Sequence, residues 1–229
     1  MLNRSQSTIN NEGNNLNGNS LFYLLHSDDA LRIKNEKATS FYKKNQPLFI
    51  EGSYPRGVFC IISGKVKVFS TGETGKEQII RIAGAGDVVG FRALFSEEPY
   101  RLSATTLEQS SIFFIKIEDF LELVHSQPEL LQAVLRELSK ESGERADFIK
   151  AMAQKTVRER LAIVLLVLES IYKDDLINLS REDLANFVGT ATETLIRLLK
   201  DFKDENLIEV QGRKIKLIDV DKIYQESGY

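Results

Sequence analysis

A short segment near residue 195 carries side chains that could recognise the edges of base pairs. Arg197 can donate two hydrogen bonds to O6 and N7 of guanine, and Glu193 can accept one from the amino group of cytosine. Thr192 or Ile196 can contact the methyl group of thymine. Nearby basic side chains could bind phosphates: Lys200, Lys203, Arg213 and Lys214. The alternative is structural, with Glu193 capping a helix and pairing with Arg197 one turn later in solvent.

The elements predicted around this segment decide between those alternatives. Ser180 with Asp183, and Thr190 with Glu193, both have the spacing of a helix N-cap, and Gly189 directly precedes the second pair. This pattern predicts a helix, a tight turn and a second helix. The exposed face of the second helix is expected to carry Thr192, Glu193, Ile196, Arg197 and Lys200. Two alternating strands at 207–210 and 214–218, around a turn at 211–212, follow at once. The segment therefore predicts a winged helix-turn-helix.

A long helix is predicted upstream, with Pro128 at its first position and Gln154 at its end. Its residues at 4,3,4,3 spacing are Leu131, Leu135, Leu138, Ser142, Arg145, Ile149 and Met152. This is the spacing of a coiled-coil seam, so the apolar members (Leu131, Leu135, Leu138, Ile149 and Met152) are candidate dimerisation residues. One face of an ordinary core helix is the alternative. Thr156 and Glu159 then form a capping box that begins a new helix.

The N-terminal half has a different periodicity. We expect residues 1–20, rich in asparagine, to be disordered, and a helix from Leu21 to about Lys44 with Ser27 as an N-cap. Between residues 46 and 116 the hydrophobic period is two, with strands predicted at 47–50, 58–62, 66–69, 78–82 and 111–115. Eight of the fourteen glycines lie in this stretch, as expected for closely spaced turns. This pattern predicts a β-barrel or a β-sandwich.

Composition excludes several classes of protein. The formal net charge is −3, divided as −1 over residues 1–154 and −2 over residues 155–229, so bulk positive charge cannot attract nucleic acid. One cysteine and two histidines leave no multi-cysteine metal site, and we predict no metal. The longest apolar run, residues 161–168, is too short to span a bilayer, and we expect a cytoplasmic protein. No catalytic triad, paired-carboxylate site or P-loop can be assembled, so we do not expect an enzyme.

Three stretches of sequence resemble the CRP/FNR family of bacterial transcription regulators. They are GVFCIISGKVKVF, GDVVGFRALFSEEPYRLSATTLE and LSREDLANFVGTATETLIRLLKDFKDENLI, and the resemblance extends from Leu21 to Tyr229. It implies an α+β fold with an N-terminal β-roll of the double-stranded β-helix or jelly-roll type at 21–127. It further implies a dimerisation helix at 128–154 and a winged helix-turn-helix at 155–229. By this resemblance Glu193 and Arg197 read a palindromic operator, and RNA polymerase is a partner.

The resemblance also locates an effector pocket, where this chain departs from the family pattern. The implied pocket residues are Gly90, Phe91, Arg101, Ser103 and Arg145. In members that respond to cyclic AMP, a glutamate follows the cassette glycine and an adjacent arginine and serine bind the phosphate. Here Phe91 follows Gly90, Leu102 separates Arg101 from Ser103, and the dimer helix has Arg145 and Ala146 in place of threonine and serine. The family's iron–sulfur sensors need several cysteines near the N-terminus, and this N-terminus has none.

These observations predict a homodimeric, sequence-specific DNA-binding transcription regulator. Its operator is expected to be a pseudo-palindrome in double-stranded DNA, and its effector is not cyclic AMP. No cofactor is predicted. A small anion could bind through Arg101, or Phe91 and Leu102 could fill the pocket and leave regulation to the abundance of the protein. The rival function is a cyclic-nucleotide-type binding module that regulates a protein partner, but such an interface has little use for Arg197 or for the basic wing tip.

Overall fold

The computed structural model describes residues 20–27, 39–173 and 175–228. The predicted disordered tail, apart from residue 20, lies outside the described residues. Within them the order of elements is α1 (Leu21–Ser27), β1 (Thr39–Tyr42), β2 (Pro47–Phe49), β3 (Gly57–Ser63), β4 (Val66–Thr71), β5 (Glu77–Ala83), β6 (Val88–Val89), α2 (Arg92–Ser96), β7 (Ser103–Thr106), β8 (Ser110–Lys116), α3 (Ile117–Ser126), α4 (Pro128–Gln154), α5 (Val157–Tyr172), α6 (Arg181–Val188), α7 (Thr192–Asp204), β9 (Ile208–Gln211), β10 (Lys214–Leu217) and α8 (Val220–Glu226).

The first eight strands form two antiparallel four-stranded sheets, in the orders β1-β8-β3-β6 and β2-β7-β4-β5. The five predicted strands are confirmed to within one or two residues. The strands β1, β6 and β7 were not predicted; each has at most four residues, too few to show a period of two. An apolar core fills the space between the sheets, as expected for a β-roll: Phe59, Ile61, Val66, Ala83, Val89, Ala104 and Ile112.

The helix predicted from Leu21 to about Lys44 is wrong. Helix α1 ends at Ser27, and residues 39–42 form the edge strand β1. The N-cap predicted at Ser27 depends on residues 28–31, which the structure does not describe. Strand β1 pairs with β8 in the register Thr39 to Phe113 and Phe41 to Ser111. Pairing with the neighbouring strand outweighed the weak helical pattern of this segment. Residues 28–38 lie outside the described part of the chain.

The long helix begins at Pro128 as predicted and has 27 residues, ending at Gln154. Proline fits there because the first helical N–H has no partner within the helix. One face of α4 packs against the β-roll and α1 through Leu130, Ala133 and Val134. Helix α4 therefore belongs to the first half of the molecule along one face and leaves other faces exposed.

The predicted capping box at the start of α5 is confirmed: Thr156 accepts a hydrogen bond from the Glu159 N–H, and Glu159 accepts one from the Thr156 N–H. Ser180 is confirmed as the N-cap of α6, accepting from the Asp183 N–H. The predicted cap at Thr190 is wrong. The Thr190 N–H donates to the Ala185 carbonyl and so belongs to the end of α6, and α7 begins at Thr192 without a side-chain cap.

The C-terminal helices share their hydrophobic core with the β-roll. Leu161 and Leu165 of α5, Leu184 of α6 and Leu195 of α7 are fully buried. The same cluster contains β-roll residues: Phe69, Ile79, Ile82 and Leu107. Burial of this continuous apolar surface fixes the helix-turn-helix against the β4–β5 hairpin.

Candidate nucleic-acid interface and effector cavity

Helix α7 divides into two faces, as predicted. Leu195, Leu199 and Phe202 are at most 4% exposed and contact the core. The opposite face presents Glu193, Ile196, Arg197 and Lys200 to solvent, with Thr192 half-buried. The exposed fraction of Ile196 is 53%, which is high for an isoleucine in the middle of a helix. The face holds both polar and apolar groups suited to base edges.

The structural alternative for Glu193 and Arg197 finds no support. Within the described residues neither side chain makes an ion pair or a hydrogen bond, although they lie one turn apart on α7. Glu193 has no capping role either, because Ala191 is the N-cap and makes no side-chain bond. Both side chains therefore remain available to a partner.

The turn before α7 depends on Gly189. Its φ of +74° is in the left-handed region, where a side chain is strained, and its N–H donates to the Ala185 carbonyl. The Thr190 N–H donates to the same carbonyl, which completes the tight C-terminal turn of α6. The chain then reverses within three residues and α7 begins at Thr192.

Strands β9 and β10 form the predicted wing. Its two-residue turn is at Gly212 and Arg213, one residue later than predicted, because Gln211 pairs with Lys214 as the end of β9. Arg213 and Lys214 are exposed at its tip. The guanidinium group of Arg181 in α6 donates to the carbonyls of both Gly212 and Arg213, each at 3.1 Å. Partial burial lowers the pKa of Arg181 from its ordinary value.

Sequence reasoning missed Arg181. A signal was available, because a basic residue at the first position of a helix faces the positive end of the helix dipole and needs a compensating contact elsewhere. Here the compensation comes from the two wing carbonyls. Arg181 thus joins the first helix of the motif to the turn of the wing.

A cavity of about 240 Å³ lies between the β-roll and α4. Four of the five expected effector residues line it: Gly90, Phe91, Arg101 and Arg145. Ser103 lies elsewhere, and its hydroxyl accepts a hydrogen bond from the Glu51 N–H at 3.0 Å. Phe91 is 2% exposed and packs in the core beside Leu94. Phe91 is therefore a buried core residue that also forms part of the cavity wall.

Three of the four arginines that line the cavity are paired with carboxylates, and Arg92 makes no ion pair among the described residues. Arg81 contacts Asp87 at 3.1 Å and Glu141 of α4 at 2.8 Å. Arg145 approaches Glu141 at 3.7 Å, and the largely exposed Arg101 pairs with Glu98 at 2.8 Å. Burial raises the pKa of Glu141, and the positive charge of Arg81 opposes that shift. An anion that binds to any of these three paired arginines would have to compete with the carboxylates.

Arg81 and Glu141 were also missed from the sequence. Arg81 was the easier of the two to find, since it is a charged residue inside the otherwise apolar stretch Ile79–Ala83. Glu141 lies on a helix with many charged residues, and only the tertiary structure shows that it points at the β-roll. The ion pair connects strand β5 with helix α4.

The predicted seam of α4 is only partly exposed. Leu131, Leu135 and Ile149 have exposed fractions of 42%, 53% and 67%. Leu138 is half-buried against the protomer's own core, and Met152 packs beside Gly189 of the helix-turn-helix. The apolar stripe left uncovered therefore consists of Leu131, Leu135 and Ile149.

The side chains that could bind metals are scattered in this fold. Among the described residues no group of three or more histidine, cysteine or acidic side chains could hold a metal ion. The single cysteine, Cys60, is buried and its thiol pKa is raised by burial, so the residues do not fit an iron–sulfur cluster. Over the described part of the chain, no helix has the length and apolar character needed to cross a bilayer.

Comparison with known proteins adds sequence similarity to this geometry. The family profile of the cyclic nucleotide-binding domain matches residues 39–127, and that of the Crp-like helix-turn-helix domain matches residues 159–225. Electron transport regulator A of Shewanella oneidensis is 31% identical over 213 residues, covering 89% of this chain and 81% of that protein. The chain belongs to the CRP/FNR family of DNA-binding transcription regulators.

A second curated relative and two solved structures agree with this assignment. The fumarate and nitrate reduction regulatory protein of Vibrio cholerae is 30% identical over 193 residues, covering 81% of this chain and 77% of that protein. FixK2 from Bradyrhizobium japonicum has the same fold, with a TM-score of 0.75 and 21% identity, covering 82% of this chain and 95% of that one. A CooA variant from Carboxydothermus hydrogenoformans has a TM-score of 0.72 and 24% identity, covering 91% and 95%. The two curated relatives are named as regulators, so the expectation that this CRP/FNR protein is not an enzyme is confirmed.

Proposed function

We propose that this CRP/FNR regulator is a homodimer that binds a pseudo-palindromic operator in double-stranded DNA. In this proposal residues 21–127 are the effector domain, residues 128–154 the dimerisation helix and residues 155–229 the DNA-binding domain. The observation that carries the proposal is the unpaired, exposed face of α7. Glu193 and Arg197 on that face have no partner among the described residues, and the wing beside them ends in Arg213 and Lys214.

Each residue of the interface has a defined role in the proposal. Arg197 reads a guanine, Glu193 accepts from a cytosine amino group, and Thr192 and Ile196 contact thymine methyl groups. Lys200, Arg213 and Lys214 bind phosphates and set the register of the protein on the duplex. Because the C-terminal region carries no net positive charge, the local placement of these basic side chains supplies the electrostatic attraction to DNA.

Dimerisation places two such faces on one duplex. The uncovered stripe of Leu131, Leu135 and Ile149 supports pairing of α4 with the same helix of a second copy. A two-fold axis between the helices makes the half-sites symmetric, with their centres one helical turn of DNA apart, about 34 to 36 Å. From its similarity to the family, we also propose that the protein binds RNA polymerase and is located in the cytoplasm.

The effector side of the proposal is a weak or absent response to cyclic nucleotides. Phe91 is a core residue and offers no acceptor to a ribose hydroxyl, and three of the four arginines that line the cavity pair with Glu98, Asp87 or Glu141. The cavity volume of about 240 Å³ is below the range of about 300 to 1,000 Å³ typical of small-molecule sites. The proposal allows binding of a small anion that displaces one of these carboxylates.

The proposal is tested by selecting duplexes from a random library with the full-length protein and measuring variants on the selected sequence. We expect a pseudo-palindrome with the spacing given above. Arg197→Ala should weaken binding to it by about 1 to 3 kcal/mol and relax the preference at one base pair. Lys200→Ala, the matched control one turn away, should weaken selected and random DNA alike and reduce the salt slope by about 1.

Two outcomes would reject the proposed function. Arg197→Ala could lose the same affinity for selected and random duplexes, which would remove this residue from base recognition. Alternatively the library could yield no enriched sequence, which would favour a ligand-binding module that regulates a protein partner.

A further inference from the structure

Three side chains of the β4–β5 hairpin hold helix α6, the first helix of the helix-turn-helix. Lys67 lies in β4, Gln78 in β5, and Lys76 directly before β5. All three donate hydrogen bonds to acceptors in or directly after α6. We call Lys67, Lys76 and Gln78 the hairpin clamp. The β-roll therefore touches the DNA-binding motif through specific polar contacts as well as through the shared core.

At the N-terminal end of α6, the Lys67 Nζ lies 2.9 Å from the Asp183 Oδ1 and also contacts Glu77. The side chains of Lys67 and Asp183 are 12% and 16% exposed, so water weakens this ion pair less than a surface pair. Asp183 also accepts a hydrogen bond from the Ser180 hydroxyl. This end of α6 is fixed to the hairpin and to its own N-cap at once.

At the other end of α6, the clamp meets carbonyls that a helix terminus leaves without an internal partner. The Gln78 Nε2 donates to the Asn186 carbonyl at 2.7 Å, and the Lys76 Nζ donates to the Thr190 carbonyl at 3.1 Å. Arg160 of α5 donates to two of the three carbonyls between them, those of Val188 and Gly189. The turn that sets the direction of α7 is therefore stabilised by hydrogen bonds both from the β-roll and from α5.

We propose that Gln78, assisted by Lys76 and Lys67, is a positioning residue for DNA recognition that the sensor half of the chain supplies. Thr190 lies two residues before α7, so the clamp sets the direction in which the recognition helix leaves the turn. The clamp leaves Glu193, Ile196 and Arg197 exposed, and so it holds the reading face without covering it. This inference rests on the proposed function and deepens it.

Orientation matters more for base contacts than for phosphate contacts. A bidentate arginine–guanine contact requires a fixed approach to the base edge, whereas a lysine on a flexible stem follows a displaced phosphate. Loss of the clamp lowers the fraction of molecules with a correctly aimed helix, and the apparent affinity falls by that fraction. Specific binding should therefore suffer more than non-specific binding.

The test uses the full-length protein and Gln78→Glu, which keeps the shape of the side chain and replaces its amide donor by a carboxylate. Thr74→Glu, at the exposed tip of the same hairpin, is the control for the added negative charge. On the duplex selected from the random library we expect Gln78→Glu to bind about tenfold more weakly, a change of about 1.4 kcal/mol. On random DNA we expect it to match Thr74→Glu.

Three results would overturn the inference: unchanged binding to the selected duplex, tighter binding, or equal losses on selected and random DNA. Tighter binding would show that the clamp restrains the reading face. Thermal unfolding of each variant separates positioning from simple destabilisation, because a structural defect lowers Tm without changing the ratio of the two affinities. If Gln78→Glu does not fold, Lys76→Met at an exposed position replaces it, and the same fall in that ratio is expected.

Failure of this inference is distinguishable from failure of the proposed function. If Arg197→Ala loses its preference for the selected duplex while Gln78→Glu keeps it, the interface stands and only the clamp is rejected. If neither variant changes that preference, α7 is not the reading element.

Discussion

Gly189 is the single residue on which the geometry of the helix-turn-helix depends most. Its φ of +74° closes α6, and a Cβ atom built there would lie 2.5 Å from the Cε of Met152 and 3.3 Å from the Oε1 of Gln78. The first neighbour is the end of a flexible side chain and can move; the backbone conformation cannot be relieved in this way. A side chain at this position therefore strains the turn.

We expect Gly189→Ala to lower the free energy of unfolding by about 1 to 2 kcal/mol, the cost of a left-handed conformation for a residue with a Cβ. Gly143 in the middle of α4 is the matched control, because a Cβ there meets nothing within 4 Å. Gly143→Ala should raise stability by up to about 1 kcal/mol through helix propensity. Urea denaturation of both variants measures the difference. Equal effects of the two substitutions would contradict the role given to the turn.

At the scale of elements, helix α4 has one face packed in its own protomer and one exposed apolar stripe. Leu130, Ala133 and Val134 pack on the protomer's own core, while Leu135 and Ile149 are largely exposed. Only a second apolar surface would remove these exposed side chains from water. Because Leu138 is half-buried within the protomer, it is a poor choice for testing association.

We expect Leu135→Asp combined with Ile149→Asp to give a monomer, since a paired helix would have to bury the new charges without partners. The monomer should also lose most of its affinity for the selected duplex, because only one recognition helix can then engage it. Sedimentation velocity measures the oligomeric state. Arg136→Asp with Lys150→Asp is the control: it changes the net charge more, at exposed neighbouring positions, and should leave the dimer intact. If Leu135→Asp with Ile149→Asp is still a dimer, the exposed stripe of α4 is not the dimer interface and α4 is a core helix only.

At the scale of the whole molecule, two features connect the halves of the chain. One hydrophobic cluster includes Phe69 and Ile79 of the β-roll together with Leu161 and Leu184 of the C-terminal helices. The cavity beside α4 is formed by β-roll and helix together, and the ion pair of Arg81 with Glu141 closes one side of it. The cavity and the candidate DNA interface are therefore parts of one packed structure.

For the cavity we expect titration calorimetry with cyclic AMP and cyclic GMP to give no saturable binding in the micromolar range. Phe91 supplies no acceptor for the ribose, and a hydroxyl buried without a partner costs about 1 to 3 kcal/mol. Arg81→Gln should not change this result, because Arg81 is engaged by Asp87 and Glu141. Saturable binding of either nucleotide would show that the cavity opens further than this arrangement suggests.

Several features of this protein follow from its sequence alone, because they depend on residues close together in the chain. The capping box at Thr156 and the N-cap at Ser180 need only a spacing of three residues, and the exposed face of α7 needs only the helical period. The turn at Gly189 was also predicted, from a glycine between two cap patterns of which only the first, at Ser180, is present in the structure. Local spacing therefore suffices to name Glu193 and Arg197 as base-reading candidates.

Other features were decided by tertiary contacts between residues distant in sequence. The segment 39–42 became a strand because β8 offered it a partner, and Thr190 was taken by the end of α6 instead of capping α7. The pairing of Arg81 with Glu141 and the hold of Gln78 on the Asn186 carbonyl join residues 60 and 108 positions apart. No local pattern reports such contacts, because burial selects them only when the β-roll packs against the helices that follow it.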